Sequence, residues 1–130
     1  MPSPNDAWIE YASADLDAAD RLLKSPHPNS WTFLLAAWHC HQAIEKMLKR
    51  IMVAREKEVI KTHDLVRLQE LTGTPFSDVQ ITFIKKLDTF YIRPRYPDFM
   101  YPSFPQIDAN AAQTFFDETK RFFLWLKTKA

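Results

Sequence analysis

Glycine is almost missing from this chain: one residue in 130, Gly73. A β-rich meander turns repeatedly through positive-φ positions, where glycine is the usual residue, so a single glycine argues against that architecture. Cysteine is likewise reduced to Cys40 alone, which excludes a disulfide framework and a cysteine zinc site. An excess of one charge sign is absent too. Lys and Arg number 17 against 16 Asp and Glu, a formal net charge of +1, so bulk charge points to neither nucleic acid nor membrane. Any such role requires a local patch. No run approaches the ~20 apolar residues of a membrane span. Met1 to Asp6 carry no basic stretch followed by an apolar run, so no signal peptide is expected and the cytoplasm is the expected location.

The remaining composition is that of an ordinary globular protein, 46% hydrophobic and 25% charged. A chain of this length fits one domain, residues 1–130. It buries roughly two thirds of its unfolded surface without needing a disulfide or a metal. Nine prolines against one glycine mark where helices stop.

Apolar periodicity predicts an all-α bundle of four long helices with an additional short one. The first runs from Asp6 to Lys24, where Ile9, Ala12, Leu16, Ala19 and Leu23 share one face and Asn5 or Asp6 serves as cap. Pro26 and Pro28 end it. The second runs from Ser30 to Glu56 and carries two adjacent stripes. One holds Phe33, Ala37, Cys40, Ile44, Met47 and Ile51; the other holds Leu34, Trp38, His41, Glu45, Leu48 and Met52. Two neighbouring stripes predict a central helix covered over a wide face. A short helix from His63 to Leu71 follows, capped by Thr62 and with Asp64 in its first turn. The fourth spans Pro75 to Tyr91, with Val79, Phe83, Ile84, Leu87, Phe90 and Tyr91 facing inward. Ser77 and Gln80 have the spacing of a capping box, which moves its start later. The last runs from the Asp108 cap to Lys127.

Between the last two long helices, Ile92 to Ile107 holds four prolines and a row of aromatic residues. The prolines forbid a helix. The rings make it unlike a solvated linker, and a structureless connection of this length is commonly functional. Arg93, Arg95 and Tyr96 place guanidinium groups beside rings, a chemistry suited to a base and its phosphate. The alternative is that Arg95 pairs with Asp98 while the rings close the end of the bundle.

Two polar clusters need explanation. His41 and Glu45 stand four apart, on one face, inside an otherwise apolar stripe, with His39, Gln42 and Lys46 nearby. They form either a polar pocket or a buried hydrogen-bonded network. A carboxylate so placed requires an imidazole or a lysine beside it. Thr62, His63 and Asp64 read mainly as a helix start, with His63 left over. The basic run Lys46, Lys49, Arg50, Arg55, Lys57 and Lys61 reads as a solvated face near a helix C-terminus. His39 and His41, two apart, cannot share a helical face, so no metal site is expected. No cofactor motif is present.

Four stretches, in order, resemble the HEPN family, a helical domain of higher eukaryotes and prokaryotes. They are Ala14 to Ala19, Trp38 to Lys46, Thr62 to Leu65, and Tyr91 to Asp98, spanning about Ala7 to Leu126. The resemblance implies an antiparallel, up-and-down four-helix bundle with an extra short helix, usually a homodimer. It implies a nucleotide or RNA ligand, and, for some members, a nucleotidyltransferase partner in a toxin–antitoxin pair. Many members are metal-independent RNases whose motif is an Arg followed a few residues later by His. Here no His follows Arg93 or Arg95, and Tyr101 occupies the spacing. Tyrosine, with an ordinary pKa near ~10, is a poor proton shuttle at neutral pH.

The resulting expectation is a binding module rather than a nuclease. Arg93, Arg95 and Tyr96 would contact phosphate and base. His41, Glu45 and Lys46 would line or brace the pocket, with His63 nearby and Asp15 a partner from the first helix. The alternatives are a divergent endoribonuclease using Arg95 with His41, His63 or Tyr101, and a structural helical adaptor.

Overall fold

The computed structural model describes residues 4–91 and 107–129, with side chains from Asp6 onward. Five helices and no strand occur among them: α1 (Pro4–Leu23), α2 (Ser30–Ala54), α3 (Leu65–Thr72), α4 (Asp78–Asp88) and α5 (Ala109–Lys127). None is long and apolar enough to cross a membrane.

α1 begins earlier than its sequence suggests, so Asn5 and Asp6 lie inside its first turn instead of capping it. Pro4 fits there because first-turn N–H groups have no intrahelical acceptor. Ala12 and Ala19 are buried on the expected face, with Ile9, Leu16 and Leu23 partly covered beside them. Asp15 is buried among them.

α2 is capped by a reciprocal pair. Asn29 Oδ1 accepts from the Thr32 N–H at 3.1 Å, and Thr32 Oγ1 accepts from the Asn29 N–H at 3.1 Å. The helix touches all four others. Both expected stripes are accordingly covered: Ile44, Met47, Leu48, Ile51 and Met52 are entirely buried. Each such side chain contributes about 1.5–3 kcal/mol of hydrophobic stabilisation. At the C-terminal end, the Glu56 N–H donates to Val53 O at 3.0 Å and the Lys57 N–H to Met52 O at 2.8 Å. This is a Schellman closure, and it puts Glu56 in the left-handed region at φ 56°.

α3 starts at Leu65, later than expected, and its cap is Asp64, whose Oδ1 accepts from the Arg67 N–H at 3.1 Å. Thr62 instead accepts from the Asp64 N–H through Oγ1, at 3.3 Å. Gly73 closes the helix at φ 71°, a conformation that a side chain disfavours. α4 begins where the Ser77–Gln80 capping box places it and ends at Asp88, so Tyr91 lies beyond the helix. Phe83, Ile84 and Leu87 are buried, but Val79 is 80% exposed and does not join the core. α5 follows its Asp108 cap and buries Ala112, Phe116, Thr119, Phe122, Phe123 and Leu126 along one face.

The basic run on and after α2 divides: Arg55, Lys57 and Lys61 are exposed, as a solvated face requires, whereas Lys46 and Lys49 are partly covered and Arg50 is buried. Lys46 and Lys49 pair with carboxylates described below. Arg50 is buried and donates through Nη1 to the carbonyls of Leu126, at 3.3 Å, and Lys129, at 3.0 Å, at the end of α5. Burial lowers its guanidinium from the usual arginine value, against the opposing charge of Asp6. Arg55 Nη1 reaches Thr72 O at 2.7 Å and Lys57 Nζ reaches Leu71 O at 2.8 Å. These cations satisfy the orphan carbonyls of two helix ends, where the dipole is negative.

A second, smaller apolar cluster of Leu34, Ala37, Phe90, Ile107 and Ala112 holds together the points where the chain leaves α4 and enters α5. Phe90 packs edge-on against Phe115 at 5.0 Å.

Candidate functional site

Polar side chains of α2 are engaged on two sides. Toward α1, Asp15 accepts from His39 Nδ1 at 2.9 Å and from Lys46 Nζ. Burial alone would raise the Asp15 carboxyl. The His39 and Lys46 hydrogen bonds and their charges outweigh it, and hold the carboxyl below its ordinary value of 3.8. Cys40 lies next to this cluster. Burial pushes its thiol up to about 12, against a hydrogen bond with Thr119 and assisted by the charge of Asp15. It is therefore no nucleophile at neutral pH.

Toward α3 and α4, the chain builds a corner around Tyr91. His41 has no solvent exposure, and its Nε2–H donates to Asp88 Oδ1 at 3.0 Å. Asp88 also accepts the Leu65 N–H, at 3.1 Å to Oδ1 and 3.2 Å to Oδ2. A carboxylate in the last turn of a helix faces the negative end of its own dipole. Asp88 tolerates that position because the positive start of α3 and the His41 ring meet it. The other His41 nitrogen, Nδ1, lies 3.2 Å from the Gln42 amide. With Nε2 donating, a neutral ring accepts there, and the amide turned to present its NH₂ supplies the donor. His41 thus has no free ring nitrogen.

Glu45 is buried one turn further along α2. Its Oε2 pairs with Lys49 Nζ at 3.0 Å and its Oε1 with His63 Nδ1 at 2.8 Å. Its imidazole partner is therefore His63 and not His41, which the sequence placed beside it. The two ends of the His63–Glu45 pair differ in accessibility: the carboxylate side chain is 6% exposed and the imidazole 50%. The Tyr91 ring stacks on His63 at 4.5 Å and 17°, and stands 5.1 Å from the His41 ring. Tyr91 thereby joins the two networks.

Chemically, the corner is a buried acid orienting a half-exposed imidazole. Donation of the Nδ1 proton to Glu45 leaves Nε2 of a neutral His63 as a lone-pair acceptor. No partner for that nitrogen occurs among the described residues. His63 can accept a hydrogen bond or a proton from a bound group, beside an aromatic surface. Lys49 balances the Glu45 charge. Among the described residues, no three His, Cys, Asp or Glu side chains converge as a metal ion would require.

The sequence-predicted residues therefore fall into three groups. His41, Glu45 and His63 meet in the Tyr91 corner. Asp15 and Lys46 meet each other, with His39, on the α1 side. Arg93, Arg95 and Tyr96 lie outside the described residues, as does Tyr101. Sequence reasoning missed Asp88 and Lys49, and gave Tyr91 only a packing role. The signal for Asp88 was present: an acid closing a helix, where the dipole disfavours it, needs a partner elsewhere. Lys49 was legible as the residue four positions after Glu45.

Among family models, the one described as "HEPN domain" matches residues 6–129. No curated protein and no solved structure gives a significant match.

Proposed function

The chain belongs to the HEPN domain family, and from that premise we propose that it is a nucleotide- or RNA-binding module, acting as a homodimer and as the helical partner of a nucleotidyltransferase in a toxin–antitoxin-type pair. The proposed scaffold is an antiparallel, up-and-down four-helix bundle with α3 as the extra short helix, forming one domain. The observation that carries the binding reading is the His63–Tyr91 stack held from below by Glu45. It presents a half-exposed His63 imidazole, whose Nε2 has no partner among the described residues, beside Tyr91, which stands two residues before Arg93 in the chain. A base packs on such a ring, and the guanidinium groups of Arg93 and Arg95 pair with phosphate. His41 and Asp88 brace this arrangement from within, while Asp15 and Lys46 pair on the other side of α2 and hold α1 to it.

A second reading draws on the same dyad. An imidazole fixed by a buried carboxylate is the arrangement a general base requires, so His63 with Arg95 defines a divergent, metal-independent endoribonuclease. The two readings separate in one experiment. Single-stranded and structured RNA are incubated with the protein in EDTA, beside Arg95→Ala and His63→Ala. Retention of intact RNA, weakened in both variants, supports the binding module. Cleavage that disappears in His63→Ala promotes the nuclease. RNA, nucleotide and nucleotidyltransferase binding all unchanged in Arg95→Ala would remove the site assignment.

A further inference from the structure

A groove of about 520 Å³ opens between α4 and α5, on residues that the Tyr91 corner does not use. That volume lies within the ~300–1,000 Å³ range of small-ligand sites. Its floor is aromatic. Phe83 and Phe122 stack at 5.7 Å, and Trp125 meets Phe122 edge-on at 5.8 Å. Lys86 from α4 and Arg121 from α5 bring two cations to it, and Glu118 one carboxylate. The exposed Val79 forms part of the rim.

Lys86 and Arg121 are exposed and Glu118 is half-buried, and other exposed cations such as Lys61, Lys85 and Lys120 likewise have no partner among the described residues. On α1, cations find carboxylates four residues away: Arg21 with Asp17 at 2.7 Å and Lys24 with Asp20 at 2.9 Å. Glu118 and Arg121 are three apart on α5, a spacing that also permits a pair. Yet no side-chain hydrogen bond or ion pair of Lys86, Arg121 or Glu118 occurs among the described residues. Three unpaired charges around an aromatic floor specify a ligand that is flat and anionic at once. A bare anion has no use for the rings, and an aliphatic chain has none for two cations. A nucleoside monophosphate satisfies both: its base lies on the rings, its phosphate takes Lys86 and Arg121, and Glu118 accepts from an amino or hydroxyl group.

We propose that the α4–α5 groove binds a nucleoside monophosphate unit, either free or at the end of an RNA strand. It deepens the nucleotide reading above by giving that ligand class a second seat, and it stands on its own residues. The test follows the indole N–H of Trp125, assigned with Trp125→Phe, in ¹⁵N-resolved spectra of the wild type, Lys86→Ala, Arg121→Ala and His63→Ala. The probes are adenosine monophosphate, adenosine, inorganic phosphate and a 5′-phosphorylated trinucleotide RNA. The expected result is a saturable Trp125 shift with adenosine monophosphate, weakened about tenfold by Lys86→Ala or Arg121→Ala and unchanged in His63→Ala. Adenosine and phosphate alone bind more weakly. Tighter binding of the trinucleotide identifies a strand end as the ligand, and tighter binding of the mononucleotide a free nucleotide; either supports the groove. Equal affinity for phosphate and the mononucleotide overturns it, as does a silent Trp125 with every probe. Binding that is lost only in His63→Ala overturns the groove while leaving the corner standing. Absence of nucleotide binding anywhere removes both.

Discussion

The Tyr91 corner and the α4–α5 groove use the same kinds of side chain in opposite ways. In the corner, His41, Asp88, Glu45 and Lys49 are spent on one another and on the start of α3. In the groove, Lys86, Arg121 and Glu118 have no partner among the described residues and stand over a floor of buried Phe83 and Phe122 and half-buried Trp125. Buried polar groups without partners cost several kcal/mol, so most of those in a core are satisfied; Trp38 Nε1, Arg50 Nε and Thr74 Oγ1 are exceptions here. Exposed charges carry no such requirement and are free to meet a ligand. His63 belongs to both regimes: one nitrogen is committed inward to Glu45, and the other has no partner among the described residues.

The sharpest way to break this comparison is Asp88→Ala. It strips a fully buried His41 of its acceptor and leaves the Leu65 N–H unbonded. The expected loss is about 2–4 kcal/mol, read as a lower urea midpoint. A loss below the ~0.5 kcal/mol of an ordinary surface change would mean that the corner does not hold α3 in place.

Asp15→Asn comes next, at about 1–2 kcal/mol near neutral pH, since His39 and Lys46 are partly solvated. Its pH dependence has a defined sign. The folded carboxyl titrates below its unfolded value of 3.8, so its contribution is complete above that value and is lost as pH falls through the folded one. Wild-type stability therefore declines with acid more steeply than that of Asp15→Asn. Parallel acid limbs in denaturation curves would refute the assignment.

The smallest effect belongs to the groove. Lys86→Ala and Arg121→Ala are expected to change stability by less than ~0.5 kcal/mol, because nothing in the fold depends on their charge. A thermal midpoint lowered by several degrees in either would show that the groove charges are structural after all.

How much of this was legible beforehand follows the range of the interactions. Periodicity located all five helices, and short-range caps such as Ser77 with Gln80 and Asp108 appear where the spacing put them. Val79 was misplaced because a helical face continues in projection past the point where its neighbour covers it. His41 and Glu45 were visible as polar interruptions in an apolar stripe. Their partners were not, since Asp88 and His63 arrive from α4 and the start of α3, many positions away. A single-helix projection shows only neighbours three and four residues apart. The same limit explains the basic run: Arg55, Lys57 and Lys61 are exposed as read, but the burial of Arg50 against the end of α5 depends on a helix far along the chain. Arg93, Arg95 and Tyr96 rest on the sequence alone.

The most direct test of the account is the affinity of His63→Ala for a short single-stranded RNA in EDTA, measured by fluorescence anisotropy beside its thermal midpoint. His63 is half-exposed and makes one side-chain hydrogen bond, to Glu45, so the fold is expected to survive with less than ~1 kcal/mol lost. The account predicts RNA affinity reduced about tenfold at a nearly unchanged midpoint. An unchanged affinity with a collapsed midpoint would contradict it, and would make the corner a structural joint only.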